Sequence, residues 1–255
     1  MPPLPRPRRI VGVSLKMYFD LQSTFSYVRG VLQLDGEAWN ACVDLFVIPD
    51  FITLMESARI LEPSHVILGA QDTHWEDKDA FTGEISPLVL RQAGVRIVEI
   101  GHAERRTLSG ETDVSVAKKA GAVTRNGLVP LICIGEKTHH NIASAAVGMA
   151  VQECRPQVTA VLAAIPDDAD IIFAYEPVWA IGAAEPADPD HVVNVTKELR
   201  KLAAGRSGVT RIVYGGSAGP GTFTRIAESV DGLFLGRFAH DINNLKKVIE
   251  EVGGA

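Results

Sequence analysis

Eight short apolar runs, each followed by a segment of helical character, predict an α/β protein folded as one (β/α)8 barrel. The runs are Ile10–Leu15, Cys42–Ile48, Val66–Gly69, Arg96–Ile100, Val129–Ile134, Ile171–Ala174, Arg211–Tyr214 and Gly232–Leu235. Their starts lie 21 to 42 residues apart, the spacing of βα units. They are rich in β-branched residues and read as continuously apolar rather than alternating, as strands buried on both faces of a parallel sheet do. Eight such units in 255 residues is the arithmetic of the closed barrel.

Taken in order, the chain opens on MPPLPRPRR, whose prolines predict an extended lead-in over residues 1–8. The first run leads into Lys16-Met17-Tyr18-Phe19 and carries no GxGxxG turn, which argues against a doubly wound dinucleotide-binding sheet. Further along, amphipathic stretches occupy Asp113–Asn126 before Gly127, Ala143–Ala164 before Pro166, and His191–Ala204 before Gly205. Glycine or proline just past a helical run marks its C-terminus. No linker or composition shift divides the chain, so residues 1–255 are expected to form one domain.

Composition narrows the function. Hydrophobic residues make up 46%, and 25 basic against 31 acidic side chains give a net charge of −6. That balance excludes intrinsic disorder. It also leaves no basic excess to displace counterions from nucleic acid. No apolar run is long enough to span a membrane. Cys42, Cys133 and Cys154 show no CxxC pair and no metal-ligand spacing, so three buried thiols in a reducing cytoplasm are expected.

Catalytic groups in such a barrel come from the C-terminal ends of several strands. The residues just after the runs are Lys16, Gln71, His102 with Glu104, Glu136, Glu176, Gly215-Gly216-Ser217 and Gly236-Arg237. No metal cluster is expected among them. The two glycine-containing ends follow strands seven and eight, where this fold repeatedly binds phosphate. Open backbone N–H groups and a following helix N-terminus suit an anion there, although a tight turn alone also explains either glycine turn.

Three segments carry a resemblance: Ile100-Gly101-His102-Ala103-Glu104-Arg105-Arg106, Ala174-Tyr175-Glu176-Pro177-Val178-Trp179-Ala180-Ile181-Gly182 and Tyr214-Gly215-Gly216-Ser217. They resemble the signature segments of triosephosphate isomerases, which are TIM barrels. Lys16-Met17 resembles that family's lysine segment, and residues 80–87 its interdigitating dimer loop. The resemblance implies cofactor-independent proton transfer between adjacent carbons of a small sugar phosphate through an enediolate. It implies Glu176 as general base, a role that the apolar neighbours Pro177, Val178 and Trp179 suit by raising its basicity. It implies His102 as the neutral imidazole that polarises the carbonyl; triosephosphate isomerase is the reference case for this pairing. Lys16 would neutralise phosphate and enediolate charge, Glu104 would play a supporting role by pairing with Lys16 or with a backbone amide, and Arg105 and Arg106 would form interface or structural ion pairs. Residues 177–186 resemble the closing lid, with Gly182, Ser217, Gly236 and Arg237 around the phosphate. A homodimer is implied, with Thr82 inserted beside the partner's site.

Four positions depart from the family's pattern. Ser14-Leu15-Lys16 replaces Asn-x-Lys, Ala184 stands where the lid has a second glycine, Ala103 replaces a serine, and Gly236-Arg237 replaces a glycine pair. Losing the asparagine opens room for roughly one carbinol group at the substrate-facing position Ser14. With Gln71-Asp72-Thr73-His74-Trp75, these changes resemble a sister group that converts L-erythrulose 1-phosphate to D-erythrulose 4-phosphate. Triosephosphate isomerisation and a catalytically silent sugar-phosphate-binding barrel stay open beside it. Arg237 either bonds the phosphate or points outward.

Overall fold

A computed structural model of the chain describes residues 8–140 and 142–255; the expected lead-in over 1–7 lies outside them. Eight strands, β1 (Arg9–Ser14), β2 (Val43–Ile48), β3 (Ile67–Ala70), β4 (Ile97–Ile100), β5 (Val129–Ile134), β6 (Ile171–Tyr175), β7 (Thr210–Tyr214) and β8 (Gly232–Leu235), form a closed barrel in sequence order. All neighbours are parallel, and β8 closes on β1 with Ile10 opposite Gly232. The helices are α1 (Leu21–Gln33), α2 (Asp35–Asn40), α3 (Leu54–Leu61), α4 (Pro87–Gln92), α5 (Ala103–Leu108), α6 (Asp113–Arg125), α7 (Ala143–Leu162), α8 (Pro189–Leu202), α9 (Thr222–Ile226) and α10 (Ile242–Gly253).

Alternation along each strand separates two cores. Ile10, Phe46, Ile48, Ile97, Leu131, Cys133, Ile172, Ala174, Val213 and Phe234 fill the barrel interior. The opposite faces, such as Val11, Val13, Leu45, Val47, Val98 and Ile132, pack outward with helix residues including Val28, Val116, Val158 and Leu245. Both faces are apolar, which is why the runs looked continuous. Gly12 makes the interior packing possible: a Cβ there would fall 1.9 Å from Phe46 Cζ. At the N-terminal end, Asp44 takes ion pairs from Arg8 at 3.0 Å and from Arg211 at 2.7 Å. Arg8, expected in the lead-in, is therefore anchored and also lies 4.1 Å over the Trp39 ring.

Two expectations need correction. Cys42 is exposed rather than buried, with a left-handed φ of 57° just past α2; Cys133 and Cys154 are buried. α8 begins at Pro189, two residues before the expected His191. Asp188 caps it through the Asp190 and His191 N–H groups, and proline suits the first helical turn.

Behind the barrel mouth lies a buried ionic cluster. Lys119 of α6 donates to both oxygens of Asp72 at 2.8 Å and to Glu111. Arg105 of α5 joins both carboxylates at 2.7 Å. The cluster ties the loop after β3 to α5 and α6, and so fixes the helix that starts beside His102. No helix among the described residues is long and apolar enough to cross a membrane.

Candidate active site

The C-terminal ends of the strands open into a cavity of about 820 Å³. Ser14, Lys16, His102, Glu104 and Glu176 line it, with residues 181–187, the loop after β7 and the Gly236-Arg237 turn.

Lys16 follows β1 in a left-handed conformation, φ 48°. Its carbonyl accepts from Gln71 Nε2 at 2.8 Å, which holds this turn. The ammonium reaches Glu104 Oε1 at 2.7 Å. Burial works against its charge, but the hydrogen bond and charge of Glu104, with Glu176 and Glu99, outweigh that and raise its pKa.

His102 caps α5. Its Nδ1 accepts the Glu104 N–H at 3.1 Å, which leaves the proton of a neutral ring on Nε2. Burial, then the charge of Lys16, lowers the imidazole to about 4, against the pull of Glu104 and Glu111, so it is neutral at pH 7. That Nε2 lies 3.5 Å from Glu176 Oε2.

Glu176 stands just past β6, with its N–H bonded to Ile134 O at 2.8 Å. It is 6% exposed, and its Oε2 has no hydrogen-bond partner. Gly215 makes room for it, since a Cβ there would fall 2.4 Å from Glu176 Oε1. Burial first and Glu99 second raise its pKa to about 8, against Lys16. A basic carboxylate facing a neutral imidazole donor, with an ammonium in the same cavity, can move a proton next to a carbonyl.

Sequence reasoning missed Glu99, hidden inside the fourth apolar run. It points into the barrel, 3% exposed, and its Oε2 accepts from Ser14 Oγ at 2.8 Å. Burial raises it to about 7, against Ser14 and Lys16. The signal available was parity: Ile97 faces inward, so the residue two further along does too.

Of the remaining candidates, Gly182, Ser217, Gly236 and Arg237 lie on the cavity wall. Val178–Ala180 makes a 3-10 turn, and Trp179 Nε1 donates to Glu136 Oε1 at 3.0 Å. Glu136 is thereby spent on Trp179 and Tyr175. Ser217 Oγ donates to Ala180 O at 2.9 Å, and the Ala187 N–H bonds Tyr214 Oη at 2.9 Å, so residues 178–187 are fastened to the end of β7. Gly182, φ 71°, and Arg237 are exposed at the mouth, and the Arg237 guanidinium lies 5.9 Å from the Tyr18 ring. Arg106 pairs with Asp113 at 2.7 Å. Thr82 is exposed in its loop and does not line this cavity. Among the described residues no three His, Cys, Asp or Glu side chains converge as metal ligands.

The sequence profile described as Triosephosphate isomerase matches residues 9–252. The chain belongs to the triosephosphate isomerase family. Its relatives divide between two names. An L-erythrulose-1-phosphate isomerase of Pectobacterium atrosepticum is 42% identical over 94% of each chain. One of Mesorhizobium japonicum is 42% identical over 90% of this chain and 91% of its own. A triosephosphate isomerase of Thermoanaerobacter pseudethanolicus is 35% identical over 95% of this chain and 98% of its own. Within the family, similarity thus runs to both substrates' enzymes.

Proposed function

We propose that this chain isomerises L-erythrulose 1-phosphate to D-erythrulose 4-phosphate without a cofactor. The observation that carries the chemistry is the unpartnered Glu176 Oε2, 3.5 Å from His102 Nε2 in a cavity shared with Lys16. The relatives' names carry the choice of substrate.

Glu176 removes the proton from the carbinol carbon next to the carbonyl, and that C–H pair becomes the enediolate double bond. His102 donates Nε2–H toward the carbonyl oxygen as its charge grows, and Lys16 stabilises the same charge. Glu176 then returns a proton to the other inner carbon, the carbinol hydroxyl's proton passes by way of His102 to the former carbonyl oxygen, and the carbonyl forms one carbon further from the phosphate. No net oxidation occurs. Gly182, Ser217, Gly236 and Arg237 hold the phosphate at the rim. Glu104 steadies Lys16 through the 2.7 Å contact. Residues 177–186 exclude water when closed. The enzyme works as one cytoplasmic barrel domain, paired as a homodimer through residues 80–87 with Thr82 at the partner's site.

The test compares kcat/KM on L-erythrulose 1-phosphate and dihydroxyacetone phosphate with one preparation. The tetrose is expected to be preferred. A triose preference beyond about tenfold, ~1.4 kcal/mol in transition-state binding, replaces this reading by triosephosphate isomerisation.

A further inference from the structure

Glu99 is a carboxylate in a barrel interior built mainly of isoleucine, leucine, phenylalanine, cysteine, valine and alanine. Such a group costs stability unless it is well partnered, and a hydrocarbon of similar volume packs there at lower cost. Lys16 favours its charge only through space, because the ammonium bonds Glu104. The hydrogen bond it receives comes instead from Ser14, a cavity-lining side chain that is 2% exposed. The buried carboxylate therefore serves the cavity through Ser14.

The depth of the cavity says which part of a substrate meets this pair. Gly182 and Arg237 are exposed at the mouth, whereas Ser14, two residues down β1 from Lys16, is a buried part of the lining with Glu99 bonded behind it. With the phosphate at the mouth and the reacting carbons beside Glu176 and His102, the opposite end of the chain points inward, toward Ser14. In a four-carbon ketose phosphate that end is a hydroxymethyl group beyond the two reacting carbons, whereas a triose phosphate chain ends at a reacting carbon. Ser14 donates its one hydroxyl proton to Glu99 and keeps lone pairs free to accept a proton from a substrate hydroxyl.

We infer that Ser14 and Glu99 form the receptor for the terminal hydroxymethyl group of the four-carbon substrate, Ser14 touching it and Glu99 orienting Ser14. This rests on the tetrose reading above and adds the residues that select the fourth carbon. Glu99 is a positioning residue.

The test uses the full chain and its Ser14→Ala, Glu99→Leu and Glu99→Gln variants. Each is assayed for kcat/KM on L-erythrulose 1-phosphate and for binding of 2-phosphoglycolate, an anion with phosphate and carboxylate but no hydroxymethyl group. Ser14→Ala and Glu99→Leu are expected to lower the tetrose kcat/KM by roughly 10- to 100-fold, the cost of leaving a buried hydroxyl without its partner. The same variants should shift 2-phosphoglycolate affinity by less than about threefold, because its atoms end at the reacting carbons. Glu99→Gln keeps an acceptor for Ser14 and should recover most of the tetrose activity. If Glu99→Leu fails to fold, Ser14→Ala and Glu99→Gln still decide the matter. Equal losses in tetrose turnover and 2-phosphoglycolate binding would mean a general structural role and overturn the inference. So would tetrose kcat/KM within about threefold of the parent in both disruptive variants. A parent enzyme that turns over dihydroxyacetone phosphate but not the tetrose overturns the substrate reading itself, and is recognised before any variant is made.

Discussion

Shortening the carboxylate at position 176 by one methylene tests the proposed base with little change in charge or chemistry. The backbone at the end of β6 is held by Glu176 N–H to Ile134 O at 2.8 Å and by Gly215 N–H to Tyr175 O at 3.0 Å. It cannot advance to make up the lost length. In Glu176→Asp the carboxylate therefore withdraws by about one C–C bond, ~1.5 Å. Its distance to His102 Nε2, now 3.5 Å, grows correspondingly, and one atom can no longer sit in reach of both groups. A misplacement of 1 Å costs roughly 10²-fold, so kcat should fall about 10²- to 10³-fold, ~3–4 kcal/mol of barrier. Because the proposed phosphate contacts lie elsewhere in the cavity, KM should change only a few-fold. Steady-state kinetics on L-erythrulose 1-phosphate gives both numbers. A kcat within about threefold of the parent would remove Glu176 from the role of base.

Lys16→Met keeps side-chain length but removes the ammonium that faces Glu104, so kcat should fall and KM rise together, with kcat/KM down at least about 10²-fold. A change in KM alone would limit Lys16 to ground-state binding. Lys119→Met leaves Asp72 and Glu111 to the part-exposed Arg105 and should cost about 1–3 kcal/mol in denaturant unfolding; no measurable loss would contradict the cluster's role. Glu99 gives a pH signature in stability. Its pKa rises from 4.5 to about 7 in the folded chain, so between those values the folded state holds more protons than the unfolded one. Stability from this group falls as pH rises through that window and is flat above it. Glu99→Gln removes the dependence and should gain on the parent by up to about 3 kcal/mol between pH 4.5 and pH 8. A constant difference in stability across that range would contradict the buried, proton-holding state.

Most of the barrel was legible because strands buried on both faces leave uninterrupted apolar runs. Val129–Ile134 and Gly232–Leu235 match β5 and β8 residue for residue. The strand-end rule then found Lys16, His102, Glu104 and Glu176, since closing the barrel must bring the ends of β1, β4 and β6 to one mouth. What escaped had physical reasons. Pro189 reads as a breaker until Asp188 is seen to cap the helix that it opens. Cys42 reads as part of an apolar strand, but its left-handed backbone turns it out to solvent. Glu99 looked like one polar residue interrupting a buried run. Its meaning depends on facing Ser14 across the barrel, a contact between residues 85 positions apart. Arg237 was left between two orientations, and the 3-10 turn that begins there sets it at the mouth.

Turnover of L-erythrulose 1-phosphate in heavy water, followed by NMR, tests the enediolate reading most directly. The expected result is conversion to D-erythrulose 4-phosphate with deuterium at the carbinol carbon beside the phosphorylated carbon, both lost in Glu176→Asp in proportion to kcat. Binding of the sugar phosphate with neither isomerisation nor deuterium entry would contradict proton transfer by Glu176 and leave a barrel that only binds its ligand.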